Sequence, residues 1–528
     1  MDKSIDSVGQ KLLFSFHGIQ QPSPEILDSI RKYKPAGFTL FRPMNIGTLE
    51  QVRNLTEILQ QHAREQGLPP FLICTDQEGG QLMAVGDCTP LPGNMALGAT
   101  GSAELAYKAG MVLGRELAAL GINVDYAPSA DVNVNPENPV IGTRSFGDDP
   151  QLVGELAAAL VLGIQSQGVV ATVKHFPGHG DTQTDSHMGI PVLTHDMNRL
   201  WAVELPSFAA AIQAGVKMVM TAHVGIEVID GKNPLPATLS PRIVNGLLRQ
   251  EMGFAGVVVS DAMNMHAIRQ GELLREDALL AALAGIDLLL LSDDPEDHKR
   301  VYESLSDAVN QDILKSDILS NSVARIMDLK KWLSSQTVIP NLSVIRCAEH
   351  QAVADEIAER AVTLVHDRKS LLPLKLAADK RIAVIVPEPQ DLTPADTSSY
   401  IKPDLALAIR AFHPLVDEFT VSFAPNQEER SLLLSKIQPY DLIIVGTINA
   451  CASPHQAALV RELINTEIPT IVIAMRLPYD LEVFPEVGTY LCTYSILEPS
   501  LRAAAKALFG KIEITGKLPV KIKSIGDG

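Results

Sequence analysis

Short, continuously apolar runs recur along the first 300 residues, and longer helix-like stretches separate them. The runs are GFTLF (37–41), FLICTD (71–76), INVDYAP (122–128), VVATVKHF (169–176), KMVMTAH (217–223), GVVVSDAM (256–263) and IDLLLLS (286–292). They are rich in Val, Ile and Leu, as strands buried on both faces of a parallel sheet are. LEQVRNLTEILQQHA (49–63), AELAYKAGMVLGRELAAL (103–120) and LVGELAAALVLGIQSQ (152–167) read as helices between them. This alternation predicts a (β/α) barrel or a doubly wound sheet. Polar residues favour the barrel. Asp76, Lys174 with His175, His223, Asp261 and Ser292 each fall at or just after an apolar run. A barrel brings all such strand ends to one face, whereas a doubly wound sheet gathers only those at its switch point.

After the helical stretch SDILSNSVARIMDLKKWLSSQ the texture changes. TVIPNLSVI (337–345) has no charges and one proline, and reads as a linker. A second α/β series follows: AVTLVHD (361–367), RIAVIVP (381–387), DLIIVGT (441–447), TIVIAM (470–475) and TYLCTYS (489–495). The expected organisation is a TIM-type (β/α)8-like barrel over 1–336, a linker over 337–345, and a smaller C-terminal α/β sandwich over 346–528.

The whole-chain numbers narrow the function. At 528 residues the chain exceeds the size at which one core usually stops growing. Its net charge of −18 would repel a phosphate backbone, which argues against nucleic-acid partners. No apolar run is long enough for a membrane span, and the N-terminal twenty residues lack the apolar core of a signal peptide. The five cysteines, Cys74, Cys88, Cys347, Cys451 and Cys492, are scattered and form no CxxC pair. They suggest a reducing compartment, and the expected location is the cytoplasm.

The densest chemistry lies in KHFPGHGDTQTDSH (174–187), with His175, His179 and His187 beside Lys174, Asp181 and Asp185. Three readings are open on residues alone. The histidines and aspartates could ligate a metal. The glycine-containing loop could be a mobile catalytic lid, or a solvated loop without chemistry. Within it, Asp185 two residues from His187 could fix one ring nitrogen and leave the other for proton transfer. Asp261, at the end of VVVSD, is placed either as a nucleophile or as the N-cap of a following helix. Asp76 and Glu78 in DQEGG could accept hydrogen bonds from sugar hydroxyls, bind a metal or cap a turn. Arg144 in NPVIGTRSFG could clamp a carboxylate or hydroxyl, or form a surface ion pair. His223 fits a satisfied core histidine.

KHFPGHGDTQTDSH, SDAMNM, DQEGG, NPVIGTRSFG and MTAHV occur in the order found in glycoside hydrolase family 3. Over about residues 8–335 the chain resembles that family's β-N-acetylglucosaminidase subgroup, in its two-domain form. The resemblance implies a retaining mechanism: Asp261 as nucleophile, His187 as general acid/base, Asp185 as its partner. It implies that Asp76, Arg144, Lys174 and His175 bind the sugar, with no metal and no cofactor. The expected substrate is a GlcNAc-containing muropeptide or chitooligosaccharide, above all GlcNAc-(anhydro)MurNAc fragments of peptidoglycan. Alternatives are a GlcNAc phosphorylase using the same site, a metal-dependent hydrolase and a non-catalytic sugar-binding protein. The family commonly reads DQEGGRVxR, and its second arginine helps to hold the sugar. Here the stretch is DQEGGQLMA, so Gln81 and Ala84 stand where the arginines would be.

Overall fold

The computed structural model describes residues 7–183, 189–336 and 339–523. Eight parallel strands form the first sheet: β1 Leu12–Phe14, β2 Gly37–Thr39, β3 Leu72–Thr75, β4 Val124–Asp125, β5 Val170–Phe176, β6 Met218–Thr221, β7 Val257–Ser260 and β8 Leu289–Leu290. Each pairs with its neighbours in chain order, β8 pairs with β1 through Leu12↔Leu289, and Val259↔Leu288 bridges the last gap. The sheet is therefore a nearly closed barrel rather than a doubly wound layer.

Side chains on the two faces of these strands fill different cores. Leu13, Leu72, Val124, Met218, Val257 and Leu290 meet inside the barrel, where Ile326 and Leu329 of helix Ser316–Ser334 also pack. Leu12, Phe14, Phe38, Ile73, Val219 and Val258 face the surrounding helices. Burial on both sides explains why the runs show no polar alternation. Side-chain caps fix the helix starts. The hydroxyls of Ser23, Thr48 and Ser102 accept from Ile26, Gln51 and Leu105 N–H, and Asp149 accepts from Gln151 N–H ahead of helix Pro150–Ser166.

β1 was not among the seven expected strands. Three residues, LLF, are too short to stand out between Lys11 and Ser15.

The second domain has a six-stranded sheet: β9 Thr363–Asp367, β10 Ile382–Pro387, β11 Val416–Val421, β12 Leu442–Thr447, β13 Thr470–Ala474 and β14 Thr489–Cys492. Its order is β9-β14-β13-β12-β10-β11, with only β9 antiparallel. β11 at the edge also escaped the sequence reading. Its VDEFTV is buried only at its ends, so no continuous apolar run marks it.

The domains are joined by polar contacts. Glu116 of the barrel accepts from the Nδ1–H of His350 at 2.7 Å and from Arg346 N–H at 2.9 Å. Lys517 N–H donates to Ala99 O at 3.0 Å, and Asp148 N–H to Pro519 O at 3.0 Å. No helix among the described residues is long and apolar enough to cross a membrane.

Candidate active site

A cavity of about 1010 Å3 opens at the C-terminal ends of the barrel strands. Asp76, Arg144, Lys174, His175 and Asp261 all line it. Five of the expected positions, from four separate chain segments, thus reach one space, as barrel geometry requires. Asp185 and His187 lie outside the described residues. The second domain supplies another wall through the stretch 391–397 and Tyr400.

The floor is a chain of alternating charges. Lys174 Nζ donates to Asp76 Oδ1 at 2.5 Å and lies 2.6 Å from Glu78 Oε1. Arg144 holds Glu78 with two parallel bonds, Nε to Oε2 at 3.0 Å and Nη2 to Oε1 at 2.8 Å. Arg144, Lys174 and Glu78 are all buried. Burial alone would raise the Glu78 carboxyl, but the flanking Arg144 and Lys174 cations overcome it and hold it at about 2. Burial would likewise lower Lys174, and Asp76 and Glu78 outweigh it, so its ammonium is held above the usual range. The sugar-binding candidates form one preorganised lattice. Glu78, placed in the sequence beside Asp76 as another acceptor, is its keystone.

His175 continues this chain to a residue that sequence reasoning missed. Its Nδ1–H donates to Asp131 Oδ2 at 2.7 Å, and its Nε2 lies 3.3 Å from Arg144 Nη2. A ring carrying its proton on Nδ1 satisfies both partners. Asp131 is fully buried and also accepts from His179 N–H at 2.7 Å and Ser129 Oγ–H at 2.9 Å. Burial would raise its carboxyl, but His175 and His179 hold it well below the usual range. Asp131 does follow an apolar run, as the other site acids do. Ser129 and Ala130 separate it from that run, so the pattern was easy to overlook.

The first half of the histidine loop is packed, not solvated. A Cβ at Gly180 would stand 1.9 Å from Val132 O, so only glycine permits that approach. Gly178 has φ +129 and lies against Glu204. His179 is buried and shares a hydrogen bond with Thr182 Oγ1 through Nδ1 at 2.7 Å. Asp181 pairs with His195 Nε2 at 2.7 Å and Arg199 Nη2 at 3.0 Å, anchoring the strand-side end of the loop. Among the described residues, no three His, Cys, Asp or Glu side chains gather as metal ligands.

Asp261 follows β7 directly. Its N–H donates to Thr221 O at 3.1 Å, and its Oδ1 accepts from Ala262 N–H at 2.8 Å. No helix starts here, since turns follow until the short helix Gly271–Leu273, which removes the N-cap reading. His223 is buried and donates from Nε2 to Ala262 O at 3.0 Å, fixing the residue beside Asp261. Its satisfied-core character therefore supports the site. Ser292 lines the cavity and bonds Asp297 through Oγ at 2.8 Å.

Gln81 and Ala84 have distinct surroundings. Gln81 Oε1 accepts from Thr143 Oγ1–H at 2.7 Å and from Arg476 Nη2 of the second domain at 2.6 Å. Gln81 O accepts from Thr397 N–H at 2.8 Å. It ties the second domain's wall to the barrel. Ala84 lines the cavity with a methyl group only.

The buried groups give stability a definite acid dependence. Burial pushes His179 and His298 down to about 4 from 6.5, so both are neutral in the fold near neutral pH. The unfolded chain protonates them first, and stability falls as pH drops from 6.5 towards 4. Glu78, at about 2 rather than 4.5, adds a second loss from 4.5 towards 2. Urea unfolding followed across this range should show both falls; a midpoint flat from pH 6.5 to 4 would contradict the buried neutral histidines.

Residues 5–329 match the glycosyl hydrolase family 3 N-terminal domain, and the chain belongs to this family of glycoside hydrolases. Beta-hexosaminidase A of Pseudoalteromonas piscicida is 30% identical, covering 98% of this chain and 96% of its own length. The beta-N-acetylglucosaminidase/beta-glucosidase of Cellulomonas fimi is 28% identical over 85% of this chain and 83% of its own. Among solved structures, a family 3 beta-N-acetylglucosaminidase from Paenibacillus sp. str. FPU-7 superposes with a TM-score of 0.92 at 37% identity, covering 98% of both chains.

Proposed function

We propose that this chain is a retaining exo-β-N-acetylglucosaminidase. In this reading it removes terminal GlcNAc from peptidoglycan-derived GlcNAc-(anhydro)MurNAc fragments. The observation that carries the proposal is the convergence of Asp261, Asp76, Lys174, His175 and Arg144 on one cavity. The similarity to β-N-acetylglucosaminidases over nearly the whole chain supports it.

The chemistry follows from the residues. A retaining glycosidase needs a carboxylate to attack the anomeric carbon and a proton donor at the leaving oxygen. Asp261 is the attacking group. Its Oδ1 is held by the neighbouring N–H, which keeps the carboxylate in one orientation. His187 donates the proton to the departing oxygen and then takes one from the incoming water, with Asp185 as its partner. The Asp76–Lys174–Glu78–Arg144 lattice offers fixed donors and acceptors to the sugar hydroxyls without reorganising. The five free cysteines fit a cytoplasmic enzyme.

The test is turnover of paired aryl substrates. An aryl β-N-acetylglucosaminide should be cleaved with release of the β-anomer, and the matching β-glucoside poorly or not at all. Equal rates on the two, or release of the α-anomer, would sink this reading. Hydrolysis should be indifferent to added phosphate; sugar 1-phosphate as the main product would make the enzyme a phosphorylase instead.

A further inference from the structure

One cation on the cavity wall takes no part in the floor lattice. Arg42, beyond the end of β2, is half-buried and lines the cavity. Its guanidinium lies 4.0 Å from the ring centroid of Tyr400, a residue of the second domain. It also lies against Gly86, where an added Cβ would stand 2.4 Å from Nη2. Nη1 donates to Met83 O at 3.2 Å. No carboxylate of the described residues comes within 4 Å, although Asp87 and Asp391 are near enough to act through their fields. Burial lowers Arg42 by more than Tyr400, Asp87 and Asp391 restore, so the charge is under-compensated. A guanidinium in that state, with N–H donors to spare, is built to receive an anion.

Its position says which part of a substrate it meets. Tyr400 is 54% exposed and marks the cavity mouth, whereas Lys174, at 1%, marks the floor. An exo-acting enzyme takes the terminal sugar to the floor and leaves the rest of the chain towards the mouth.

We propose that Arg42, packed against Gly86 and Tyr400, binds a carboxylate carried by the leaving sugar and so selects acidic disaccharides. N-acetylmuramic acid, with its carboxylate-ended ether, has this chemistry. The inference rests on the glycosidase reading above. It also gives the second domain a part in substrate selection, because Tyr400 packs its ring against the guanidinium.

The experiment compares kcat/KM on GlcNAc-MurNAc, on the neutral disaccharide GlcNAc-GlcNAc and on an aryl β-N-acetylglucosaminide. The wild type should prefer the acidic disaccharide, less so as salt rises. Arg42→Ala should cut the acidic-over-neutral ratio about tenfold, mostly through KM, as expected for one lost charge-assisted bond. Gly86→Ala, which displaces the guanidinium while keeping its charge, and Tyr400→Ala should cut it less. Thermal melts check that each variant folds. A wild type without acidic preference overturns the proposal, as does an Arg42→Ala loss equal on all three substrates. Failure of the wild type to cleave the aryl substrate would instead strike the glycosidase reading.

Discussion

Replacing Asp261 by alanine is expected to reduce turnover of an aryl β-N-acetylglucosaminide by about 10^4-fold or more, the scale seen when a covalent nucleophile is removed. The fold should survive. Asp261 is only partly buried, and its backbone bond to Thr221 O does not depend on the side chain. The role can be separated from general electrostatic help. Added azide should enter the space left by the carboxylate and restore turnover, giving the α-glycosyl azide. Normal turnover by the variant, or a β-azide product, would mean that another group attacks. His187→Ala should lose about 10^2- to 10^4-fold, the usual worth of a general acid/base. Its loss should shrink with aryl groups that leave without protonation.

The second large effect concerns stability and binding together. Glu78→Gln removes the anion shared by Lys174 and Arg144, two buried cations. Among the described residues, Asp76, the His175 ring and the Val140 carbonyl would then remain as their hydrogen-bond partners. Breaking a buried ion pair by deleting one partner costs about 3–5 kcal/mol, because an uncompensated charge is left behind. Denaturant unfolding should show a loss of that order at pH 7, and the acid-dependent fall between 4.5 and 2 should weaken with it. The same variant should raise KM, since Arg144 and Lys174 lose the contact that orients them. A variant as stable as the wild type would show that the lattice is not load-sharing at Glu78.

Much of this was legible in the sequence because the barrel makes it so. Parallel strands buried on both faces give unbroken apolar runs, and the residue after each run must fall at one end of the barrel. Asp76, Lys174, His175 and Asp261 could therefore be grouped from their positions alone. Arg144 was found by its loop, not by a strand. β1 and β11 were not legible, the first because three residues carry no period, the second because this edge strand is buried only at its two ends and shows neither an apolar run nor an alternation. Asp131 was missed because its partners, His175 and the His179 N–H, come from 44 and 48 residues away, and no local spacing shows such a contact. The wall formed by Tyr400 and Thr397 was hidden for the same reason at greater range. Gln81 looked like a lost arginine in one dimension. In three it is one of the places where the second domain is fastened.

The most direct test of the account is to trap the covalent intermediate. A 2-acetamido-2-deoxy-5-fluoro-β-glucosyl fluoride should inactivate the enzyme with time, and mass spectrometry of the digest should place one sugar on the peptide containing Ser260-Asp261-Ala262. Reactivation should follow addition of a good acceptor. A sugar attached to any other carboxylate, or steady turnover of the reagent with inversion and no adduct, would contradict the account.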